Sequence, residues 1–154
     1  MRGRPLFFCL ALLGVVVSAA ACQAQPKVII STTEGRNVTF AVEIADTAAK
    51  RELGLQYRRE LATNRGMIFL FPVESDHSFW MKNTFIPLDM IFINRDRKIV
   101  GIVEQAVPFS TDPRAVPAPS LYVLEINGGL SRRYGFRTGD TVRFEGVSRE
   151  TVRE

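Results

Sequence analysis

Short runs of β-prone residues, separated by turn-forming residues, recur along most of the sequence. Val38, Phe40, Val42 and Ile44 alternate with more polar neighbours, which is the period of a strand that buries one face. Residues 66–71 are apolar except for the initial glycine, as in a strand that is covered on both faces. Further strands are predicted at 78–83 and 88–94, and residues 94–97 are predicted to be the turn of a hairpin that leads into a strand at 99–103. These runs predict a mainly β fold.

Helical periodicity is confined to two places. One amphipathic helix of about three turns is predicted after Asp46, the expected N-cap, with Ala49, Leu53 and Tyr57 on its buried face. A helical turn is also predicted within residues 128–134. The sequence therefore favours a single-domain β-sandwich or partly closed barrel with one or two short helices. A βαβ fold is the second choice, because the turns that separate the strand-like runs are too short for crossover helices.

The N-terminus has the features of an export signal. Arg2 and Arg4 precede an uncharged apolar stretch at 6–17, and small residues follow at 18–21. The apolar stretch is shorter than the roughly 20 residues that a membrane-spanning helix needs. Cys22 directly follows the small residues and is the predicted lipidation site, with ordinary signal-peptide cleavage as the alternative. We expect an exported protein of the periplasm or cell envelope, held at a bacterial membrane by its lipid anchor only.

The chain is accordingly divided into four segments. These are a signal peptide (1–22), a tether with a first short strand (23–36), a β-rich domain (37–147) and a C-terminal tail (148–154). Within the domain, residues 107–120 hold half of the eight prolines and predict a long, stiff loop. Loops of this length in small domains are commonly functional or mobile.

Charge and cysteine content restrict the function. Loss of Arg2 and Arg4 with the signal leaves 18 basic and 16 acidic residues, so the net charge falls from +4 to +2 and no nucleic-acid partner is expected. Cys9 also leaves with the signal, so the mature chain can form no intramolecular disulfide. His77 is the sole histidine and is predicted to be a polar residue at a strand edge. One imidazole cannot fill a transition-metal site, so we expect no metal and no cofactor. The alternative is an all-oxygen calcium site formed by loop aspartates, although no EF-hand spacing supports it.

Three charged residues interrupt runs that otherwise predict buried strands: Lys82, Asp89 and Glu125. Because an unpaired buried charge costs several kcal/mol, these groups should pair with one another or surround a water-filled cleft. In one interpretation Lys82 bridges a carboxylate and the cluster maintains the strand register. In the other, the three groups line a pocket beside Trp80 and Asn83, where burial and like charge raise a carboxyl pKa.

Several motifs, in their order and spacing, resemble the bacterial and archaeal family called domain of unknown function 192. They are Gly-Met-Ile-Phe at 66–69, Phe-Trp-Met-Lys-Asn-Thr at 79–84, Ile-Pro-Leu-Asp at 86–89, Leu-Glu at 124–125 and Gly-Asp at 139–140. The resemblance covers about residues 38–145 and implies a compact, jelly-roll-like β fold. It implies no established activity, catalytic residue or cofactor. Gln56 departs from the family pattern, which has methionine there, and this difference concerns helix packing.

The leading functional hypothesis is a non-enzymatic, envelope-anchored module that binds a small polar ligand or an envelope protein. The candidate binding residues are Trp80, Lys82, Asn83, Asp89 and Glu125. One alternative is a hydrolase or lyase that uses Glu125 or Asp89 as general base and Lys82 as electrostatic stabiliser. Another is a structural interaction protein, which would have a solid ion-pair cluster and an exposed apolar patch elsewhere.

Overall fold

One seven-stranded sheet with two short helices makes up the structure, a computed structural model that describes residues 24–153. The elements are β1 (Lys27–Ser31), β2 (Asn37–Ala45), α1 (Ala48–Leu53), β3 (Arg65–Ser75), β4 (Leu88–Ile93), β5 (Ile99–Ala106), β6 (Ser120–Asn127), α2 (Leu130–Tyr134) and β7 (Thr141–Glu145). The strand order is β5-β4-β6-β3-β2-β1-β7. The predicted signal peptide and Cys22 lie outside the described residues. Within residues 24–153, no helix is long and apolar enough to cross a membrane.

The sheet curls until its two outer strands approach each other. Lys98, just before β5, forms an isolated antiparallel bridge with Thr141 at the start of β7. The backbone N–H of Ile99 donates a hydrogen bond to the carbonyl of Asp140, at 3.0 Å. The result is a half-barrel, which confirms the predicted mainly β, single-domain fold in its partly closed form.

Two apolar cores cover the two faces of the central strands. We call the first the barrel core because all seven strands contribute to it. The second, the outer core, lies on the opposite face of β3, β4 and β6. The alternation is clear along β6, where Tyr122, Leu124 and Ile126 enter the barrel core and Val123 enters the outer core. The outer core consists of Ala45, Leu55, Met67, Phe69, Met81, Leu88, Met90, Phe92, Ala106 and Val123.

The predicted amphipathic helix was wrong in length, cap and buried face. Thr47, not Asp46, caps α1, and its hydroxyl accepts a hydrogen bond from the N–H of Lys50. The helix ends at Gly54, whose φ of 48° takes the chain out of helical geometry. As a result Leu53 is 55% exposed, whereas Leu55, beyond the helix, is buried. This segment connects β2 to β3, the one parallel pair among the strand pairs of residues 24–153.

The predicted β4–β5 hairpin is confirmed, whereas the predicted strand at 78–83 is not. In place of a strand, Phe79 forms a single bridge with Arg114. The N–H of Met81 donates to the carbonyl of Ser110, at 2.8 Å. The segment therefore pairs with the proline-rich connection between β5 and β6, and this arrangement builds one wall of a cleft on the outer face of the sheet.

Candidate functional site

A cleft of about 540 Å³ opens on the outer face of the sheet. This volume falls within the range of roughly 300–1,000 Å³ that is usual for small-molecule sites. Its lining comes from α1 and the turn after it, from the sheet, from residues 77–80 with Thr84, and from the connection between β5 and β6. The lining residues that matter below are Arg51, Glu52, Gln56, Phe69, Phe71, His77, Phe79, Trp80, Thr84 and Glu125.

Aromatic rings form much of the cleft wall. Phe79 makes edge contacts with Phe69 and Phe71, with ring centroids 5.0 and 6.2 Å apart. Such edge-to-face pairs are favourable and hold the rings in defined positions. Trp80 also lines the cleft but remains 44% exposed. The cleft thus combines a rigid aromatic wall with a tryptophan that a ligand can reach.

Glu125 supplies a carboxyl group to this cleft from the middle of β6. Its neighbours across the sheet are Met67 on β3 and Met90 on β4, both of which belong to the outer core. Glu125 is only 4% exposed, and no group within residues 24–153 donates a hydrogen bond to its carboxyl or forms an ion pair with it. Desolvation by burial raises the pKa of Glu125 from 4.5 to about 8. At neutral pH the carboxyl is therefore mainly protonated and has no partner in the described chain.

Asp89 is also buried, but its carboxylate has hydrogen-bond donors within the protein. Its carboxylate accepts hydrogen bonds from the backbone N–H groups of Gln105 and Gly129, both at 2.8 Å, and of Ser131 at 2.7 Å. These bonds tie the end of β5 and the start of α2 to β4. Asp89 therefore has a structural role in this fold, and it is not among the residues that line the cleft.

The register of β4 and β6 separates the two carboxylates. Asp89 lies opposite Ile126, which belongs to the barrel core, whereas Glu125 lies opposite Met90 of the outer core. Since side chains alternate across a strand, Asp89 and Glu125 point to opposite faces of the sheet. The three predicted charges do not meet in one pocket.

Lys82 contacts an aromatic ring instead of a carboxylate. Its side chain is exposed, and its ammonium group sits 5.3 Å from the centroid of the Trp80 ring. Among the described residues it forms no ion pair with Asp89 or Glu125. The interpretation in which Lys82 bridges a carboxylate and maintains strand register is therefore wrong.

Asn83 lies beside the cleft and is hydrogen-bonded to Gln56, which lines it, and to Tyr57. Its amide donates hydrogen bonds to Gln56 Oε1 at 3.1 Å and to Tyr57 Oη at 2.9 Å, while its carbonyl accepts from the Tyr57 N–H. Asn83, Tyr57 and Phe109 have φ values of 53°, 64° and 62°, and the Phe109 N–H bonds to the carbonyl of Thr84. Left-handed backbone costs a non-glycine residue of the order of 1–3 kcal/mol and is concentrated at functional sites.

His77 also lines the cleft, although its sequence context predicted only a strand-edge position. Its ring stacks on Phe71 with centroids 3.5 Å apart. Desolvation lowers the pKa of His77 below 6.5, so the imidazole is mainly neutral at pH 7. In the part of the chain that the structure describes, no group of three or more His, Cys, Asp or Glu residues could hold a metal ion.

The fold and the cleft define a half-barrel β protein with an aromatic-lined pocket and a buried carboxyl. The chain belongs to the family of domain of unknown function 192, described as "Uncharacterized ACR", which matches residues 29–144. The predicted family is thereby confirmed. No curated protein matches the chain.

Two solved structures resemble this protein in both sequence and fold. One is the crystal structure of a protein of unknown function from Novosphingobium aromaticivorans, with 44% identity, a TM-score of 0.73, and coverage of 76% of this chain and 83% of that one. The other is a putative transcription regulator from Sinorhizobium meliloti, with 41% identity, a TM-score of 0.77, and coverage of 80% and 96% respectively. Both relatives support the fold, and neither description names a ligand.

Proposed function

We propose that this protein is a binding module that holds a small polar ligand in the cleft between Trp80 and Glu125. The observation that carries the proposal is a buried carboxyl group in an aromatic-lined cleft, without a partner in the described chain. Buried polar side chains in folded proteins nearly always have a hydrogen-bonding partner, either in the protein or in ordered water. A ligand that reaches Glu125 would supply that partner, and the aromatic rings would bind its apolar part.

The free-energy cost of burying the Glu125 carboxyl supports a role beyond packing. Its neighbours Met67 and Met90 are apolar, so an apolar residue at 125 would continue the outer core without desolvating a carboxyl. A strongly perturbed carboxyl inside a cleft is typical of binding and catalytic sites. The strained turns at Asn83 and Tyr57, beside the same cleft, point in the same direction.

Binding is favoured over a hydrolase or lyase activity in which Lys82 is the electrostatic stabiliser. That alternative requires Lys82 near a carboxylate, yet among the described residues Lys82 contacts the Trp80 ring and forms no ion pair with Asp89 or Glu125, and Asp89 faces the barrel core. A role in transcription, as described for the Sinorhizobium protein, is not favoured, because nucleic-acid binding usually requires a strongly basic surface. The chain has a net charge of only +4 before any loss of its N-terminal arginines.

A ligand screen by thermal shift tests the proposal. We expect a subset of small amines, sugars, carboxylic acids or nucleotides to raise the melting temperature of the wild type. Trp80→Ala and Glu125→Gln should each reduce that shift, whereas Val107→Ala should not, because Val107 is 60% exposed and does not line the cleft. The proposal fails if no compound raises the melting temperature of the wild type. It also fails if the compounds raise the melting temperatures of both cleft variants as much as that of the wild type.

We also propose export and lipid anchoring through Cys22, which rest on the N-terminal pattern alone. Metabolic labelling with a radioactive fatty acid in a bacterial host tests this. The wild type should be labelled and recovered with membranes, and Cys22→Ser should be unlabelled. Equal labelling of the two proteins, or none in either, would contradict lipidation at this cysteine.

A further inference from the structure

We infer that the cleft binds a small organic cation, an amine on an apolar or aromatic body, whose ammonium group pairs with the carboxylate of Glu125. This inference rests on the proposed function and adds the charge of the ligand. It follows from the charged groups around the cleft, from the aromatic wall and from the protonation of Glu125.

The charged and titratable groups around the cleft leave Glu125 without a cation. Glu52 and Arg51 approach from α1, His77 from the segment after β3, and Glu125 from β6. The Arg51 guanidinium is already engaged, since it donates to the Leu70 carbonyl at 3.0 Å and to the Arg153 carbonyl at 2.8 Å. His77 is mainly neutral at pH 7. The cleft therefore offers one buried carboxyl that forms no ion pair with a cation of residues 24–153.

The aromatic wall is suited to an ammonium group. Cations bind to the faces of aromatic rings, most strongly to tryptophan. Lys82 already places its ammonium 5.3 Å from the Trp80 ring centroid, and the Arg51 guanidinium lies 5.5 Å from that of Phe71. A carboxyl at the sheet and aromatic rings around it are the two elements that an amine with an apolar body requires.

Proton release on binding would distinguish a cationic ligand from a neutral one. In the free protein at neutral pH, Glu125 is mainly protonated. When an ammonium ion binds, the carboxyl O–H bond breaks, the proton passes to the buffer, and the ligand keeps its own protons. Because the pKa of Glu125 in the free protein is about 8, binding at pH 7 releases most of one proton for each ligand bound. A neutral ligand that hydrogen-bonds to the protonated carboxyl releases none.

Isothermal titration calorimetry with matched probes tests the inference. The probes are 2-phenylethylamine, the neutral 2-phenylethanol and the anionic 3-phenylpropionate, each titrated at pH 7 in phosphate and in MOPS. We expect the amine to bind at least roughly ten-fold more tightly than the alcohol and the acid. The difference in heat between the two buffers should give close to one proton released for the amine and none for the alcohol.

Two variants locate the effect. Glu125→Gln should lower amine affinity at least roughly ten-fold and abolish proton release, while alcohol binding changes little. Glu104→Gln makes the same substitution in an exposed ion pair with Arg132 and should leave both affinities unchanged. The proton release is measured on the wild type, so the test does not depend on the folding of a variant.

The outcomes separate this inference from the proposed function. If the alcohol or the acid binds as tightly as the amine, or if the amine binds without proton release, the ligand is not a cation, although the cleft still binds ligands. If no probe binds to the wild type, the cation inference is overturned. The broader ligand screen then decides the proposed function.

Discussion

Replacing Glu125 by glutamine should remove a large pH dependence from the stability of this protein. The pKa of the carboxyl is about 8 in the folded state, against an ordinary value of 4.5. Between these pH values the folded protein binds more protons than the unfolded chain, so the free energy of unfolding falls as the pH rises. At 1.36 kcal/mol for each pH unit, the interval corresponds to about 5 kcal/mol lost between pH 4.5 and pH 8.

Urea unfolding at unit steps from pH 4 to pH 9 measures this loss. The wild type should lose about 5 kcal/mol relative to Glu125→Gln across the range, because glutamine has the same shape and stays neutral. Other groups with shifted pKa values, including His77, titrate in both proteins and cancel in the difference. Glu104→Gln, the surface control, should follow the wild type. Parallel stability curves for the wild type and Glu125→Gln would refute the assignment of an unpaired carboxyl.

Two further substitutions test the parts of the fold that carry the cleft, both by urea unfolding. Asp89→Asn should lower the free energy of unfolding by about 3 kcal/mol or more, because three backbone N–H groups lose a charged acceptor. Asp96→Asn, at an exposed position of the β4–β5 turn, should cost close to nothing, and similar losses in the two variants would count against the role given to Asp89. Gly66→Ala should cost about 2 kcal/mol or more, because the added Cβ would lie 2.6 Å from the backbone oxygen of Glu125. In the control Gly35→Ala the added Cβ meets no atom within 4 Å, so the free energy of unfolding should fall only by the strain of a φ of 83°, about 1 kcal/mol. Equal losses of stability in the two variants would show that β3 and β6 can separate to make room for the added Cβ.

Local patterns in the sequence predicted much of the sheet. Alternation predicted β2, and the turn residues at 94–97 predicted the hairpin between β4 and β5. The same reasoning failed for the helix, because it extended the 3.6-residue period through Gly54, where the chain turns away. It also failed at 78–83, where apolar residues pack against a distant loop instead of pairing in the sheet.

The candidate site shows a different limit. Alternation within one strand correctly marked Glu125 and Asp89 as embedded in apolar strands. Whether they share a face depends on the register of β4 against β6. The alternation of residues within one strand does not predict how two strands align with each other. The partners of Asp89 are backbone groups, including those of Gly129 and Ser131, which have no side-chain signal in the sequence. For this reason the sequence predicted one cluster where the structure has two separate environments.

Several cleft residues were not predicted at all. Phe69 and Phe79 look like ordinary core residues in the sequence, and His77 like a polar residue at a strand edge. Gln56 was noted only for its departure from the family pattern, although its side chain accepts a hydrogen bond from Asn83 beside the cleft. That departure was the one signal in the sequence that could have directed attention to the turn after α1.

The central claim is that Glu125 is a buried carboxyl without a partner in the protein, available to a ligand. The most direct test is a carbon-13 NMR titration of the glutamate side-chain carboxyls in the free protein, with the Glu125 signal assigned by its loss in Glu125→Gln. The account predicts that this signal titrates with a midpoint near 8. A midpoint near the ordinary value of 4.5 would show that the carboxylate is solvated or already paired, and would contradict the account.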